Sequence, residues 1–595
     1  MDKRLVAAVA VVLIFLIAGG YSWSLSTVPP KTTVTTPTTA KPPAKERILV
    51  IGSTEYYRNP DIDIGYAGLD SLIERLRTDK VLVADFKKPG TYIPQAAESW
   101  EMKTNATGAS YIEFKIRKGY KFTDESPVTA SAVKWSYERE PKVDNQHAWW
   151  HQTAYSRLEV VDDYTLRMYL PDPPFIPHSF AALMLLQHGF LKSPTSGNVS
   201  GFGPAGTGPF RLIEYTPGER LVFEKVKDYP NIAGSPMHNA YADKVVVKLF
   251  ADSTTMRLAL EKGEIDIAWK DLTKPDLQAI AKNPNIVVDQ SSSGYTRYLA
   301  MNWKIKPFDD VRVRRAVAHA LNPKEIMELT QAGFAELAKS PVHPWMAYYI
   351  PYFDQLYDQS GSNVEKAKQL LAEAGYANGF TTEIWVTGRF DNIATESQIA
   401  TIIAQQLAKA GIKVEIKQVE WGLYLDKVRA TAVPGMAIGG WKFDYPDPDT
   451  DIIYMMTYEN GKGRGFYEWG YKNLTADALI WEGRRLYNPN VLPEQNAQRK
   501  AVYEKIQMIH AQDVVNVPLF YSTEYEAYRK DVKGYYIAWT GYLKPVWSAY
   551  KEDWGITLIG KSIQQPRITP AIILVTSGAT TPKPSFKTRA AAAAS

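Results

Sequence analysis

The segment best equipped for chemistry runs from Glu420 to Asp449. Glu420-Trp421 opens a helical stretch, and an apolar run then ends at Ile438-Gly-Gly-Trp441-Lys-Phe443-Asp444-Tyr-Pro-Asp447-Pro-Asp449. Two glycines followed by proline-fixed aromatics and carboxylates describe a loop leaving a buried strand. Loops at strand ends of an α/β sheet are where ligands bind. Aromatic side chains there supply flat apolar walls, and one carboxylate gives a fixed point for an ammonium or for hydroxyls. The same residues also fit a solvated acidic turn beside a core tryptophan.

Other matches lack the context their chemistry needs. Gly555-Ile-Thr-Leu-Ile-Gly560-Lys561-Ser562 fits the phosphate-loop spacing, but Pro566 and Pro570 forbid the helix whose amides must face a phosphate. Gly201-Phe-Gly203-Pro-Ala-Gly206 fits a dinucleotide fingerprint, yet Pro204 and Pro209 surround it and a strand, not a helix, follows. His147 and His151 stand at i, i+4, but Ala148 occupies the position where a zinc protease needs glutamate. Asp447, Asp449 and Asp451 begin like a calcium loop that lacks its glycine and closing glutamate, since Ile452 and Tyr458 stand there. No G-x-S-x-G elbow exists, and spacing singles out no carboxylate pair for glycoside hydrolysis. Neither a metal nor a cofactor is expected.

These residues sit in a chain of 595, about four times the roughly 150-residue domain prior. Apolar residues make up 45% and charged ones 22%, which excludes bulk disorder. A net charge of +5, from 69 Lys+Arg against 64 Asp+Glu, argues against nucleic acid as partner. There is no cysteine, hence no disulfide, thiolate or lipid-bearing Cys. The 16 Trp and 36 Tyr are a surplus to be explained.

Lys3-Arg4 precede a 14-residue apolar run, Leu5 to Ala18, which Tyr21, Trp23 and Leu25 can extend. Residues 1–25 therefore read as a signal peptide or an N-terminal membrane anchor. Residues 26–45, with 12 Thr or Pro among 20, form an extended stalk that favours the anchor. Sequons at Asn105, Asn198 and Asn473 permit glycosylation of an exported chain. Residues 565–595 read as a loose tail without a membrane span.

The body alternates strands and helices. Ile48–Ile51, Tyr111–Ile116 and the pair Phe210–Ile213 and Leu221–Glu224 around Thr-Pro-Gly-Glu read as strands. Apolar Val313, Ala316, Val317, Ala320 and Leu321 mark a helix that Asp310 caps and Asn322-Pro323 ends. Asn363 caps a second helix that closes at Gly375. Strand Thr382–Thr387, helix Ile399–Ala410 and strand Ile412–Ile416 make a βαβ unit, which implies a partly parallel sheet.

Many segments, in order from Arg47 to Tyr550, resemble the substrate-binding proteins of ABC importers in the dipeptide/oligopeptide/nickel group, family 5. Pro94-Gln-Ala-Ala-Glu-Ser-Trp100 resembles its P-x-L-A-E-S-W stretch, and Gly206-Thr-Gly-Pro-Phe210 its G-T-G-P-Y. Phe114–Ala130, Leu260–Asp266, Phe308–Ala316 and Lys366–Tyr376 follow the family pattern in turn. Asp124-Glu-Ser departs from its D-G-x, and no L-D-P follows Ile51. The resemblance implies an α/β, two-lobed, periplasmic-binding-protein-like clamp with an extra inserted domain and mixed sheets in each lobe. Lobe I would comprise 46–90, 206–295 and a return at 521–564, with the inserted domain at 91–205 and lobe II at 296–520. It implies a non-enzymatic, monomeric extracellular receptor that closes on peptides and docks on an ABC permease. An oligosaccharide receptor of the same family is the alternative ligand reading, and an exported hydrolase is a third. Trp441-Lys-Phe443-Asp444 matches the family's W-x-x-D loop, so Asp444 takes the α-ammonium and Trp441 becomes a cleft wall. Phe443 belongs to the same loop, Trp421 stands where the family places another aromatic wall, and Tyr521 falls near the return crossing between lobes. No Lys or Arg is assigned to a peptide carboxylate.

Overall fold

The computed structural model describes residues 46–556 except 56, 58–68, 85–91, 144–154, 172–204, 231, 233–234, 236–239, 271, 292–294, 390–392, 443–446, 457–468, 488–494 and 538–544. The N-terminal run, the stalk, His147, His151, Asn198, residues 557–562 and the tail thus lie outside the described residues. Among the described residues no helix is long and apolar enough to cross a membrane.

Two large mixed sheets and a smaller one organise the chain. In the seven-stranded sheet, Ile48–Ser53 runs parallel to Lys244–Leu249 and to Ile267–Ala268. Arg220–Lys225 and Phe210–Thr216 extend it antiparallel on one side, Glu524–Arg529 and Ile286–Ser291 on the other. Alternating Leu49, Ile51, Val245 and Val247 bury one face against Leu72, Ile73 and Leu76 of helix Leu69–Arg77. Met256 and Leu260 of helix Ser253–Lys262 cover the other. This sheet draws its strands from three separated stretches of sequence.

Between two of those stretches lies an antiparallel four-stranded sheet, ordered Ala97–Thr104, Ser110–Ile116, Thr165–Tyr169, Arg157–Asp162. Helix Ala130–Val143 packs on it through Val133 and Tyr137. Gly206-Thr-Gly208 explains its own composition at the junction with lobe I. A Cβ on Gly206 would sit 2.0 Å from the Arg77 carbonyl oxygen, and one on Gly208 would sit 2.4 Å from the Arg77 carbonyl carbon. Gly208 N donates to that same oxygen at 2.9 Å, and Thr207 Oγ1 accepts from Asp79 N at 2.9 Å. Backbone contact of this kind needs glycine.

The six-stranded sheet is ordered Ala335–Leu337, Asn516–Ser522, Tyr295–Met301, Met436–Lys442, Phe380–Val386, Ile412–Gln418. Its last three strands are mutually parallel, and the βαβ unit closes through helix Ile393–Ala408. Two apolar clusters cover its faces: one with Val317, Leu371, Ile399 and Ile403, the other with Tyr298, Trp385, Tyr424 and Ile480. Asp310 caps helix Val311–Ala320, but Asn322 does more than end it: its side chain accepts from Glu325 N and starts helix Pro323–Gln331.

The chain passes between the two large sheets twice, from Ser291 to Tyr295 and from Ser522 to Glu524. The residues flanking the crossings are paired: Ser291 with Glu524, and Thr296 with Tyr521. The molecule is thus a two-lobed α/β protein with a double-stranded hinge.

Candidate ligand-binding site

Strand polarity locates the cleft. In the seven-stranded sheet the parallel strand Ile267–Ala268 ends beside Glu526, at the edge where Glu524 enters from the hinge. In the six-stranded sheet Lys442 ends its strand opposite Tyr295, the first residue after the other crossing. The carboxyl ends of the parallel strands in both lobes therefore face the hinge. Ligands of open α/β sheets bind at those ends.

Trp441, one residue before that strand end, and Trp421 border the same apolar cluster. In strand Met436–Lys442 the first three residues are fully buried, and Trp441 emerges half-buried near its end. A Cβ on Gly439 would lie 2.3 Å from Tyr298 Cε2, so glycine lets the Tyr298 ring lie on the strand beneath the site. Trp421 begins helix Trp421–Arg429, and the Glu420 carboxylate accepts from Leu423 N at 3.1 Å as its N-cap. The Trp421 ring stacks on Tyr424 with centroids 5.2 Å apart and planes at 17°. Both tryptophans flank the apolar cluster of Tyr298, Trp385, Tyr424 and Ala437. Phe443 and Asp444 lie outside the described residues.

A set of charges surrounds Tyr295. Burial and the Glu524 carboxylate push its phenol above the usual range, while Arg389, Lys270 and Arg297 oppose that rise. The cations that influence this hydroxyl come from both lobes, and Arg297 among them is buried and paired with Glu396 at 3.6 Å. Arg389 follows the end of strand Phe380–Val386; it is exposed, and its guanidinium lies 5.7 Å from the Trp421 ring centroid. Among the described residues it has no carboxylate partner. An exposed guanidinium beside an aromatic face can take an oxyanion in bidentate geometry.

Tyr521 is placed differently from the aromatic walls. It is fully enclosed, its hydroxyl is shared between the carbonyls of Ser340 (2.7 Å) and Val342 (2.8 Å), and its ring lies 4.3 Å from that of His343. That packing leaves it no face toward a ligand in this conformation.

The aspartates after the loop have partners of their own. Asp447 accepts Arg499 Nη1 at 2.7 Å and Nη2 at 2.8 Å. Asp449 accepts Arg484 Nε at 3.0 Å and the Tyr503 hydroxyl at 3.2 Å. All four charged side chains are buried. These carboxylates anchor the base of the loop to helices Leu474–Arg485 and Ala497–Asp513. Among the described residues no cluster of acidic and histidine side chains is arranged to hold a metal.

Sequence reasoning missed Arg389, Lys270, Tyr295, Arg484 and Arg499. Arg389 had a usable signal, since it follows a recognisable strand end within the βαβ unit. The arginine pairs had none, because Asp447 and Arg499 stand 52 residues apart.

Residues 91–463 match the sequence model described as bacterial extracellular solute-binding proteins, family 5 (middle). The glutathione-binding protein GsiB of Pectobacterium atrosepticum is 29% identical over 404 residues, covering 66% of this chain and 72% of that protein. Di/tripeptide-binding protein 2 of Pseudomonas aeruginosa is 28% identical over 475 residues, covering 75% and 84%. The periplasmic binding protein DppA of Helicobacter pylori, solved with the peptide STSA, superposes with a TM-score of 0.62 at 26% identity, over 85% of this chain and 98% of that one.

Proposed function

The chain belongs to the bacterial extracellular solute-binding proteins of family 5, and on that premise we propose that it captures short peptides between its lobes for an ABC import permease. The observation that carries the peptide reading is the exposed Arg389 guanidinium beside the Trp421 ring, on an apolar cluster that Trp441 also borders next to a strand end facing the hinge. A peptide zwitterion needs one fixed cation, one fixed anion and apolar walls for its side chains. Arg389 supplies the cation for the terminal carboxylate. Asp444 is the proposed partner of the α-ammonium, and the two tryptophans, with Phe443, are the walls. Closure about the two crossings then encloses the peptide, and the closed face is what a permease reads. The relatives that bind glutathione and di- or tripeptides support this ligand class.

Titration calorimetry with the dipeptide Met-Leu and the tetrapeptide Ser-Thr-Ser-Ala tests the reading. Asp444→Ala should cost about 2 kcal/mol of binding, as expected for a charge-assisted hydrogen bond lost from an enclosed site. Parent binding of neither peptide, with tight binding of a cello- or manno-oligosaccharide instead, would transfer the function to sugars. Recovery of cleaved ligand after long incubation would support a hydrolase.

We further infer that the protein acts as a monomer tethered to the membrane by residues 1–25, with residues 26–45 as spacer. The apolar run, the Thr/Pro composition and the absence of cysteine support this. Deleting residues 1–45 behind a cleavable signal should release the protein into the soluble exported fraction; unchanged fractionation of the parent and the deletion refutes the tether.

A further inference from the structure

The hinge carries a third link besides its two covalent crossings. Lys442 Nζ, at the end of the strand that presents Trp441, is ion-paired with the carboxylate of Glu524, the first residue of the strand returning to lobe I. We propose that this pair fastens the ligand-contacting strand to the hinge, which makes Lys442 a positioning residue for clamp closure. The inference rests on the reading of the cleft as the ligand site.

Three features set this pair apart from an ordinary surface ion pair. The first is burial: the side chains are 7% and 19% exposed, so solvent screening is weak and removal of one partner leaves an uncompensated charge. The second is its place at the pivot. Tyr295, opposite Lys442 in the strand register, follows one crossing; its N–H donates to Ser522 Oγ at 2.8 Å, and Ser522 Oγ donates back to its carbonyl at 3.3 Å. Lys442 Nζ lies 5.8 Å from the Tyr295 ring centroid, so the pair sits beside the first residue of lobe II and the first residue of the returning strand.

The third feature is strand alternation. Trp441 packs beside the apolar cluster of lobe II, and its neighbour Lys442 is turned to the other side, toward Glu524. A ligand pressing on Trp441 therefore moves a strand end tied directly to lobe I. Beyond Glu524 the same strand brings Glu526 against Lys270 N at 3.2 Å and the Tyr535 hydroxyl, inside lobe I. The chain from ligand wall to the opposite lobe is continuous through side-chain and backbone contacts. Tyr295, opposite Lys442, feels the Glu524 carboxylate together with Arg389, Lys270 and Arg297, and Arg297 is itself paired with Glu396 inside lobe II.

The test uses the full chain with Lys442→Met, Glu524→Gln, the charge-retaining Lys442→Arg, and the reversed pair Lys442→Glu/Glu524→Lys. Hydrogen exchange without ligand is the first readout. Both neutralising variants should speed exchange of the amides at Tyr295, Thr296 and Tyr521 to Glu524, with the rest of lobe II unchanged. The second readout is dissociation of whichever of Met-Leu and Ser-Thr-Ser-Ala binds the parent. The neutralising variants should release it about tenfold faster, equivalent to about 1.4 kcal/mol, while Lys442→Arg and the reversed pair stay near the parent. Unchanged exchange at the crossings overturns the proposal, and so does a reversed pair as impaired as the single variants. A parent that binds neither peptide refutes the peptide reading, while the exchange result still decides the fastener.

Discussion

Replacing Arg499 with methionine isolates the buried charges that hold the base of the loop. Arg499 is 2% exposed, and its guanidinium meets both oxygens of Asp447 at 2.7 and 2.8 Å and donates to the Gly483 carbonyl at 2.8 Å. The rings of Tyr503, Tyr487 and Tyr348 lie 4.7, 5.1 and 5.6 Å from it. Methionine keeps much of the packing volume and leaves the Asp447 carboxylate buried without its cation. Breaking a buried pair in this way costs about 3–5 kcal/mol. Urea unfolding of lobe II should show that loss as a lower midpoint. The double variant Arg499→Met/Asp447→Leu should recover most of it, because an apolar replacement of the whole pair is nearly neutral. Peptide affinity should fall in the single variant even where it remains folded, since Asp447 stands three positions after Asp444. A single variant within about 1 kcal/mol of the parent, or a double variant no better than the single, would show that this buried pair does not hold the base of the loop.

Three further predictions follow from particular contacts. Arg389→Met should weaken binding of a peptide acid by about 1.5–3 kcal/mol and leave the corresponding C-terminal amide unaffected; equal losses for acid and amide assign the carboxylate elsewhere. Gly206→Ala should destabilise the junction of lobe I with the four-stranded domain by at least about 1–3 kcal/mol, because the new methyl would stand 2.0 Å from the Arg77 carbonyl oxygen; an unchanged melting temperature contradicts that contact. Asp79, which accepts from the hydroxyls of Tyr120 and Tyr229, has its carboxyl pushed by burial from an ordinary value of 3.8 up to about 6. Its native state holds the proton more tightly than the unfolded chain, so its contribution is present at low pH and lost as pH rises through about 6. Asp79→Asn should abolish a decline of roughly 3 kcal/mol between pH 4 and 7, and parallel pH profiles for parent and variant rule out that carboxyl as the source.

Local physics made much of the architecture legible. The hairpin of Phe210–Thr216 and Arg220–Lys225, the Asp310 and Asn363 caps, and the parallel pairing of Phe380–Val386 with Ile412–Gln418 all rest on short-range patterns. The helix read as starting at Ile399 instead begins at Ile393. Its first turn contains fully buried Glu396, which accepts from Thr387 N and Gly388 N, and a buried carboxylate interrupts the apolar periodicity. In the site, the aromatic residues were visible as types, whereas their partners were not. Asp447 and Asp449 read as solvated acids because their arginines lie on distant helices. The tryptophan surplus also divides: Trp441 and Trp421 border the candidate cleft, but Trp269 and Trp547 belong to the core of lobe I.

A peptide bound by this protein should lie between the lobes at the strand ends facing the hinge. A crystal structure of the chain soaked with Ser-Thr-Ser-Ala addresses it most directly. Density enclosed between the lobes is expected, with the terminal carboxylate on Arg389 and the backbone against Trp441 and Trp421. Peptide density anywhere else, or a sugar retained at that position in place of peptide, contradicts it.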